Sequence, residues 1–273
     1  MGKTTRIDWC DSSWNPVTGC FHGCEYCYAR GIANRFGLPY TPKLGDPGME
    51  GALKYDSDEG MDTLLELEKP YEKNGRIQPY PNCFYPTFHR YRLDIPARWT
   101  RPRTIFVCSM ADLFGEWVPD CWIIDVLNAC RKAPQHRYLF LTKNPRRYDE
   151  LEDVGIIRPE DNNFWLGSTV TDIAHDIMHF ANRQHTFISC EPMLAPWTEA
   201  NKPNHAAMQM GLMPEWVIFG AETGNRKDKI TPEKAWVDNA VQMCRNICAK
   251  VFMKESLRGI MGEDFRQEYP WEV

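Results

Sequence analysis

From residue 103 onward the chain alternates short apolar runs with amphipathic stretches, and this rhythm restricts the fold more than any other feature. RTIFVCSM (103–110), RYLFLTKNP (137–145), NFWLGSTV (163–170), HTFISCEPML (185–194), EWVIFGAETG (215–224) and KVFMKESL (250–257) read as short buried strands. Between them, VPDCWIIDVLNACRKA (118–133) repeats Ile123, Val126, Leu127 and Cys130 at helical spacing, with Pro119 suited to the first turn. RRYDELED reads as a short helix, and TDIAHDIMHFANRQ (171–184) sets Ile173, Ile177 and Phe180 on one face. TPEKAWVDNAVQMCRNICA (231–249) opens on Thr-Pro-Glu and repeats Trp236, Ala240, Cys244 and Ile247. Apolar strands separated by amphipathic helices predict βαβ units and an α/β fold with a parallel sheet. An early strand near residues 13–18 brings the count to about seven, enough for a partial or near-complete (β/α) barrel. A doubly wound open sheet is the alternative.

Residues 38–100 break the rhythm. LPYTPKLGDPGMEGALKYDSDEGMD is rich in Gly, Pro and Asp and reads as an inserted lid, with CFYPTFHRYRL (83–93) as one extended strand within it. The 273 residues are expected to form a single domain carrying this insertion. No run approaches the length of a membrane span, and MGKTTRIDWC lacks the apolar core of a signal peptide, so a cytoplasmic protein is expected. In that compartment thiols stay reduced, and the 11 cysteines point to metal ligation plus scattered core positions rather than a disulfide framework. The net charge of -5 leaves no overall basic field for nucleic acid.

The chemistry concentrates in GCFHGCEYCYAR (19–30). Cys20, Cys24 and Cys27 are spaced Cys-x3-Cys-x2-Cys, on a loop that follows the first strand and precedes the helical YARGIANRF. A structural zinc site normally closes with four ligands, and a 4Fe-4S cluster is commonly held by four cysteines. Three thiols on one loop wrap three corners of a compact cluster and leave one iron open to a substrate or cofactor. In the zinc alternative His22 supplies the fourth ligand on a tight loop. Cys244 and Cys248, at i and i+4 on a helix, and Cys83, Cys108, Cys121, Cys130 and Cys190 read as core or strand residues.

Cys20-x3-Cys24-x-Tyr26-Cys27 resembles the signature of the radical SAM superfamily, including the aromatic residue before the third cysteine. WNPVTGC, CEYCYAR, IFVCSMADLFG, LFLTKNP, ISCEPML and VIFGAETG are also similar to a smaller, phage-associated radical-SAM-like family. The resemblance implies a 4Fe-4S cluster on Cys20, Cys24 and Cys27, with S-adenosylmethionine chelating the open iron. It further implies reductive cleavage to a 5′-deoxyadenosyl radical that abstracts hydrogen from a substrate, and an external electron donor of flavodoxin or ferredoxin type. Tyr26 would sit near the adenine. Where members carry Gly-Gly-Glu to meet the methionine amine, this chain has CSMADLFGE, so Ser109 and Asp112 are the substitutes. Asp112 equally suits capping the next turn.

Further polar residues fall at successive strand ends, where a barrel builds its active site: Lys143 and Asn144, Ser168 and Thr169, Glu191, and Glu222. Glu191, Glu222 and Lys143 are the expected catalytic residues, with Ser168 and Thr169 toward the cofactor. RYRLDIPARWTRPR (90–103) interleaves Arg90, Arg92, Arg98, Arg101 and Arg103 with Tyr91 and Trp99, a pattern suited to phosphate contact and base stacking. It also suits a solvated flank. The expected substrate is a nucleobase or nucleotide, as in phage DNA modification, with a peptide as another option. The alternative function is a non-catalytic zinc- or cluster-bearing nucleic-acid-binding module.

Overall fold

The computed structural model describes residues 5–37, 52–57, 60–171, 185–197, 214–224 and 226–272. The helix expected over 171–184 lies outside them apart from Thr171, as does 38–51 of the expected lid. Contacts divide the chain into two compact units, Met1–Thr5 with Cys10–Tyr138 and Arg6–Trp9 with Leu139–Val273.

The first unit opens with β1 (Ser12–Trp14) and β2 (Val17–Thr18). Asn15 and Pro16 separate them, and the chain changes sheets there, where a proline has no N–H for a ladder. β1 runs parallel to a later strand of the main sheet, while β2 pairs antiparallel in a second one. Helix α1 (Tyr28–Phe36) follows the cysteine loop and turns Ala29 and Ala33 inward. The inserted region supplies β3 (Ala52–Ser57), β4 (Gly60–Leu67), β5 (Glu72–Lys73), β6 (Arg76–Ile77) and β7 (Thr87–His89). These form a four-stranded sheet in the order β2-β7-β4-β3 and a separate β5-β6 hairpin, so the insertion carries a sheet of its own. Extended structure at 83–93 is confined to β7, and a 3-10 turn at Arg90–Arg92 replaces the rest of the expected strand.

β8 (Thr104–Val107) is buried at every position, as expected of a strand covered on both faces. Helix α2 (Asp120–Arg131) buries Ile123, Val126, Leu127 and Cys130, the face its spacing predicts, together with Trp122 and Ala129. β9 (Arg137–Thr142) contains the boundary between the two units.

The second unit continues with α3 (Arg146–Asp153), β10 (Phe164–Thr169), β11 (Thr186–Cys190), β12 (Trp216–Phe219), α4 (Lys234–Asn246) and β13 (Lys250–Met253). Its core packs Ile188, Cys190, Val217, Phe219, Val251 and Met253 from the strands against Val237, Ala240, Val241 and Cys244 of α4. Each large apolar side chain buried in this way contributes roughly 1.5–3 kcal/mol. The inward face of α4 is rotated from the expected one, with Trp236 and Ile247 only partly buried at its edges. The helix starts at Lys234 after Glu233, without the expected side-chain cap. The last strand stops at Met253, and Glu255–Leu257 turns.

The main sheet has seven strands in the order β1-β8-β9-β10-β11-β12-β13. The β1–β8, β10–β11, β11–β12 and β12–β13 pairs are parallel. From β8 onward spatial order follows sequence order, as in the wall of a partial (β/α) barrel, with none of the reversal that marks a doubly wound sheet. The α/β class and the parallel sheet are those the sequence pattern predicts.

Candidate functional site

In the first unit the cysteine loop leaves the sheet beside the end of β8. Gly19 donates its N–H to Met110 O at 2.8 Å and bridges Ala111 in parallel, while Cys20 N–H reaches Phe84 O at 3.0 Å. Gly19 has φ +89, and a Cβ there would lie 2.2 Å from Tyr85 O, so glycine lets the loop turn against that backbone. At the other end Cys27 is the residue before α1, and its Sγ accepts the Arg30 N–H at 3.4 Å.

All three cysteines are half-buried and in no disulfide. Cys20 and Cys27 pack on Ala29, Ala33, Phe84, Met110 and Tyr80. Burial pushes the Cys20 thiol up, the Asp112 carboxylate adds to this, and Cys24 and Cys27 contribute further, opposed by the His22 backbone N–H. The three thiols are therefore close enough to feel one another. Among the described residues no three His, Cys, Asp or Glu side chains are drawn together as a finished metal cage. The donor set still fits a thiophilic metal or cluster: three reduced thiols within eight residues, partly sheltered, with an apolar floor.

The residues expected near the cofactor have other partners. Ser109 Oγ donates to Asn15 Oδ1 at 3.2 Å, and Tyr28 donates to Ser109 O at 2.6 Å. Asp112 is buried; Oδ1 accepts the Phe114 N–H at 3.0 Å, as a turn cap does, and Oδ2 lies 2.7 Å from His22 Nε2. Asn15 also accepts the Met110 N–H at 3.0 Å, which fixes the segment after β8. Tyr26 sits half-buried on the loop.

In the second unit the expected residues do fall at the carboxyl ends of the strands. Lys143 follows β9, Ser168 and Thr169 end β10, and Glu191 follows β11. Cys190 is level with Phe219 and Phe219 with Met253, so the next rung is Glu191, Gly220 and Lys254. Lys254 pairs with Glu191 across it. A Cβ on Gly220 would lie 3.0 Å from the Lys254 stem and 3.1 Å from that of Glu191, so the glycine makes room for the pair. Glu222 is buried and held by a fork of Arg226, with Nε to Oε1 at 2.7 Å and Nη2 to Oε2 at 2.8 Å. The Arg226 hydrogen bonds hold its carboxyl below the usual range against the opposing effect of burial.

Sequence reasoning missed Asn15, Trp117, Lys254 and Arg226, and it read His22 only as a zinc ligand, not as a partner of Asp112. Lys254 carried a signal, since it directly follows the apolar KVFM. Arg226 stands four residues after Glu222 in a loop and gave none. Cys121, expected in the core, is exposed, as is Cys248.

Three arginines of the basic stretch, Arg90, Arg92 and Arg103, are half-buried, and Arg98 is exposed. Arg90 pairs with Glu66, Glu68 and Asp125. Arg92 donates to Asn15 O at 2.8 Å, Arg98 pairs with Asp94, and Arg103 donates to Ser12 Oγ at 2.7 Å while lying over Trp99. Arg101 is exposed.

These features define a mixed α/β protein with a seven-stranded sheet and a three-thiol loop between β2 and α1. A family model described as a protein of unknown function, DUF5131, matches residues 4–260, and the chain belongs to this family. Searches of curated proteins and of solved structures return no match. No helix among the described residues is long and apolar enough to cross a membrane.

Proposed function

We propose that this chain is a radical SAM enzyme, with a partial barrel of that type and a 4Fe-4S cluster held by Cys20, Cys24 and Cys27. The observation that carries the proposal is the donor set itself: three sheltered thiols, in no disulfide, on one loop between β2 and α1. Held by Cys20, Cys24 and Cys27, such a cluster would supply one-electron reduction of S-adenosylmethionine, the chemistry that would yield methionine and a 5′-deoxyadenosyl radical able to take hydrogen from a substrate.

The chain's own residues supply the setting. Gly19 and Cys20 fix the start of the loop on backbone bonds, and Cys27 fixes its end as the cap of α1. Ala29, Ala33, Phe84 and Met110 keep water from one side of the thiols. Tyr26 offers a half-buried aromatic face for an adenine. In the second unit Ser168, Thr169, Lys143 and Glu191 stand at or just past strand ends, with Glu191 oriented by Lys254, while Glu222 is buried against Arg226. An external one-electron donor of flavodoxin or ferredoxin type is required. A nucleobase or nucleotide is the substrate class to screen first; the arginines of residues 90–103 are not its support, since four of the five have partners within the chain.

The test is anaerobic reconstitution with iron and sulfide. Wild type is expected to turn brown, to bind about four irons per chain, and to release 5′-deoxyadenosine when reduced with S-adenosylmethionine. Cys20→Ala, Cys24→Ala and Cys27→Ala are each expected to lose the cluster absorbance. A colourless wild-type protein that takes up zinc and no iron would refute the proposal and favour a zinc module.

A further inference from the structure

The Asp112 side chain is only 7% exposed, and its Oδ2 lies 2.7 Å from the Nε2 of His22, which stands in the chain between Cys20 and Cys24. This bond joins residues ninety positions apart. The His22 ring stands edge-on to Trp117 with centroids 4.8 Å apart, and Phe21 meets the same indole at 5.4 Å. Trp117 is buried, and its indole nitrogen has no hydrogen-bond partner among the described residues. An unpaired buried donor is costly, so the indole earns its position by packing against the loop.

We propose that Asp112 acts through His22 as a latch that holds the middle of the cysteine loop onto the segment after β8. On this reading Asp112 is a positioning residue and not the group that meets a methionine amine. The physical case rests on where the loop is tied. Backbone bonds hold it at Gly19 and Cys20, and the helix cap holds it at Cys27. The stretch between those anchors includes Gly23, whose φ is +72, and Cys24, whose carbonyl accepts the Cys27 N–H at 3.3 Å, and His22 supplies its side-chain tie to Asp112. Left free, that stretch would have to be ordered at the moment of metal capture, at a cost in conformational entropy. A carboxylate–imidazole bond, with one carboxylate oxygen already fixed by the Phe114 N–H, removes much of that freedom beforehand. The consequence for cluster loading rests on the proposed function, whereas the latch itself does not.

The experiment reads the metal-free chain first. Wild type, His22→Ala, His22→Gln and Asp112→Asn are treated with iodoacetamide, and the alkylation rate at each cysteine is followed by peptide mass spectrometry. The latch predicts that His22→Ala raises the Cys24 and Cys20 rates by about fivefold or more, because local opening exposes the thiols. Removing His22 while keeping the Asp112 charge cannot mimic this electrostatically, since the bare carboxylate would suppress a neighbouring thiolate. His22→Gln, which can still donate to Asp112, is expected to stay within about twofold of wild type. Exposed Cys121 and Cys248 serve as unaffected references, and buried Cys130 and Cys244 report global folding. If His22→Ala exposes the buried pair, Asp112→Asn is read at Cys24 in the same way. Unchanged Cys24 rates in the folded variant overturn the latch. Iron uptake is then measured, with His22→Ala expected to load several-fold more slowly than wild type. Failure of wild type to take up iron would sink the proposed function while leaving the alkylation result to decide the latch.

Discussion

Replacing Gly19 by alanine tests how the cysteine loop is mounted. The residue has φ +89, where an L side chain costs about 1–2 kcal/mol. The new Cβ would also stand 2.2 Å from Tyr85 O and 2.7 Å from Pro86 N, both backbone atoms with no flexible end to move aside. Relief requires the strands to part, which weakens the Gly19–Met110 and Cys20–Phe84 bonds at about 1 kcal/mol each. Together these predict a loss of about 3–4 kcal/mol, read as a lowered urea midpoint at unchanged slope. Gly31→Ala is the control. Nothing lies within 4 Å of where its new Cβ would stand, and the residue sits in α1, so the change should gain up to about 1 kcal/mol. A Gly19→Ala loss below about 1 kcal/mol would refute the claim that Gly19 fixes the loop.

Arg226→Ala leaves the buried Glu222 carboxylate without its fork and should cost about 3 kcal/mol by chemical denaturation. Because the folded carboxyl lies below its usual 4.5, wild type keeps this stabilisation above that pH and loses it as pH falls further, a loss the variant should lack. His89 is buried between Thr18 and Tyr91, and burial, then Arg92, holds its imidazole well below 6.5. The unfolded chain therefore takes up a proton that the folded chain refuses, so stability should fall by about 1.4 kcal/mol per unit as pH drops below 6.5. His89→Gln should flatten that slope in urea titrations between pH 5 and 6.5; an unaltered slope would count against a neutral buried His89. A double-mutant cycle on Glu191→Ala and Lys254→Ala should give a coupling of about 1 kcal/mol, with zero coupling excluding the pair in solution.

The strands from β8 to β13 were legible because a parallel strand covered on both faces must be apolar at nearly every position, and TIFV, TFISC and WVIF are buried throughout. Helix α3 matched its predicted span for a similar reason: Asn144 and Pro145 stop β9 and leave RRYDELED no strand pattern. The region 83–93 failed because its outcome depends on distant partners. Arg90 is held by Glu66 and Asp125, 24 and 35 positions away, and Arg92 by the carbonyl of Asn15, 77 away. Those contacts fold the segment into a turn, and alternation alone cannot register them. The arginine-rich stretch shares this ambiguity, since basic and aromatic side chains in alternation look alike whether they face phosphate or their own chain. At the candidate site, residue type and spacing pointed to the three thiols. The partners that orient the site, Asn15, His22 and Lys254, come together only through the fold.

The cysteine loop is mounted asymmetrically, and this bears on how it would hold metal. Its first thiol sits on backbone pinned to Met110 and Phe84, and its third caps a helix. The second lies between, on a stretch with a left-handed glycine and one side-chain tie at His22. Three thiolates this near one another, beside the Asp112 carboxylate, repel as bare anions, and that repulsion adds to the burial that pushes Cys20 up. A cationic centre would reverse the sign of that interaction and favour the Cys20 thiolate instead.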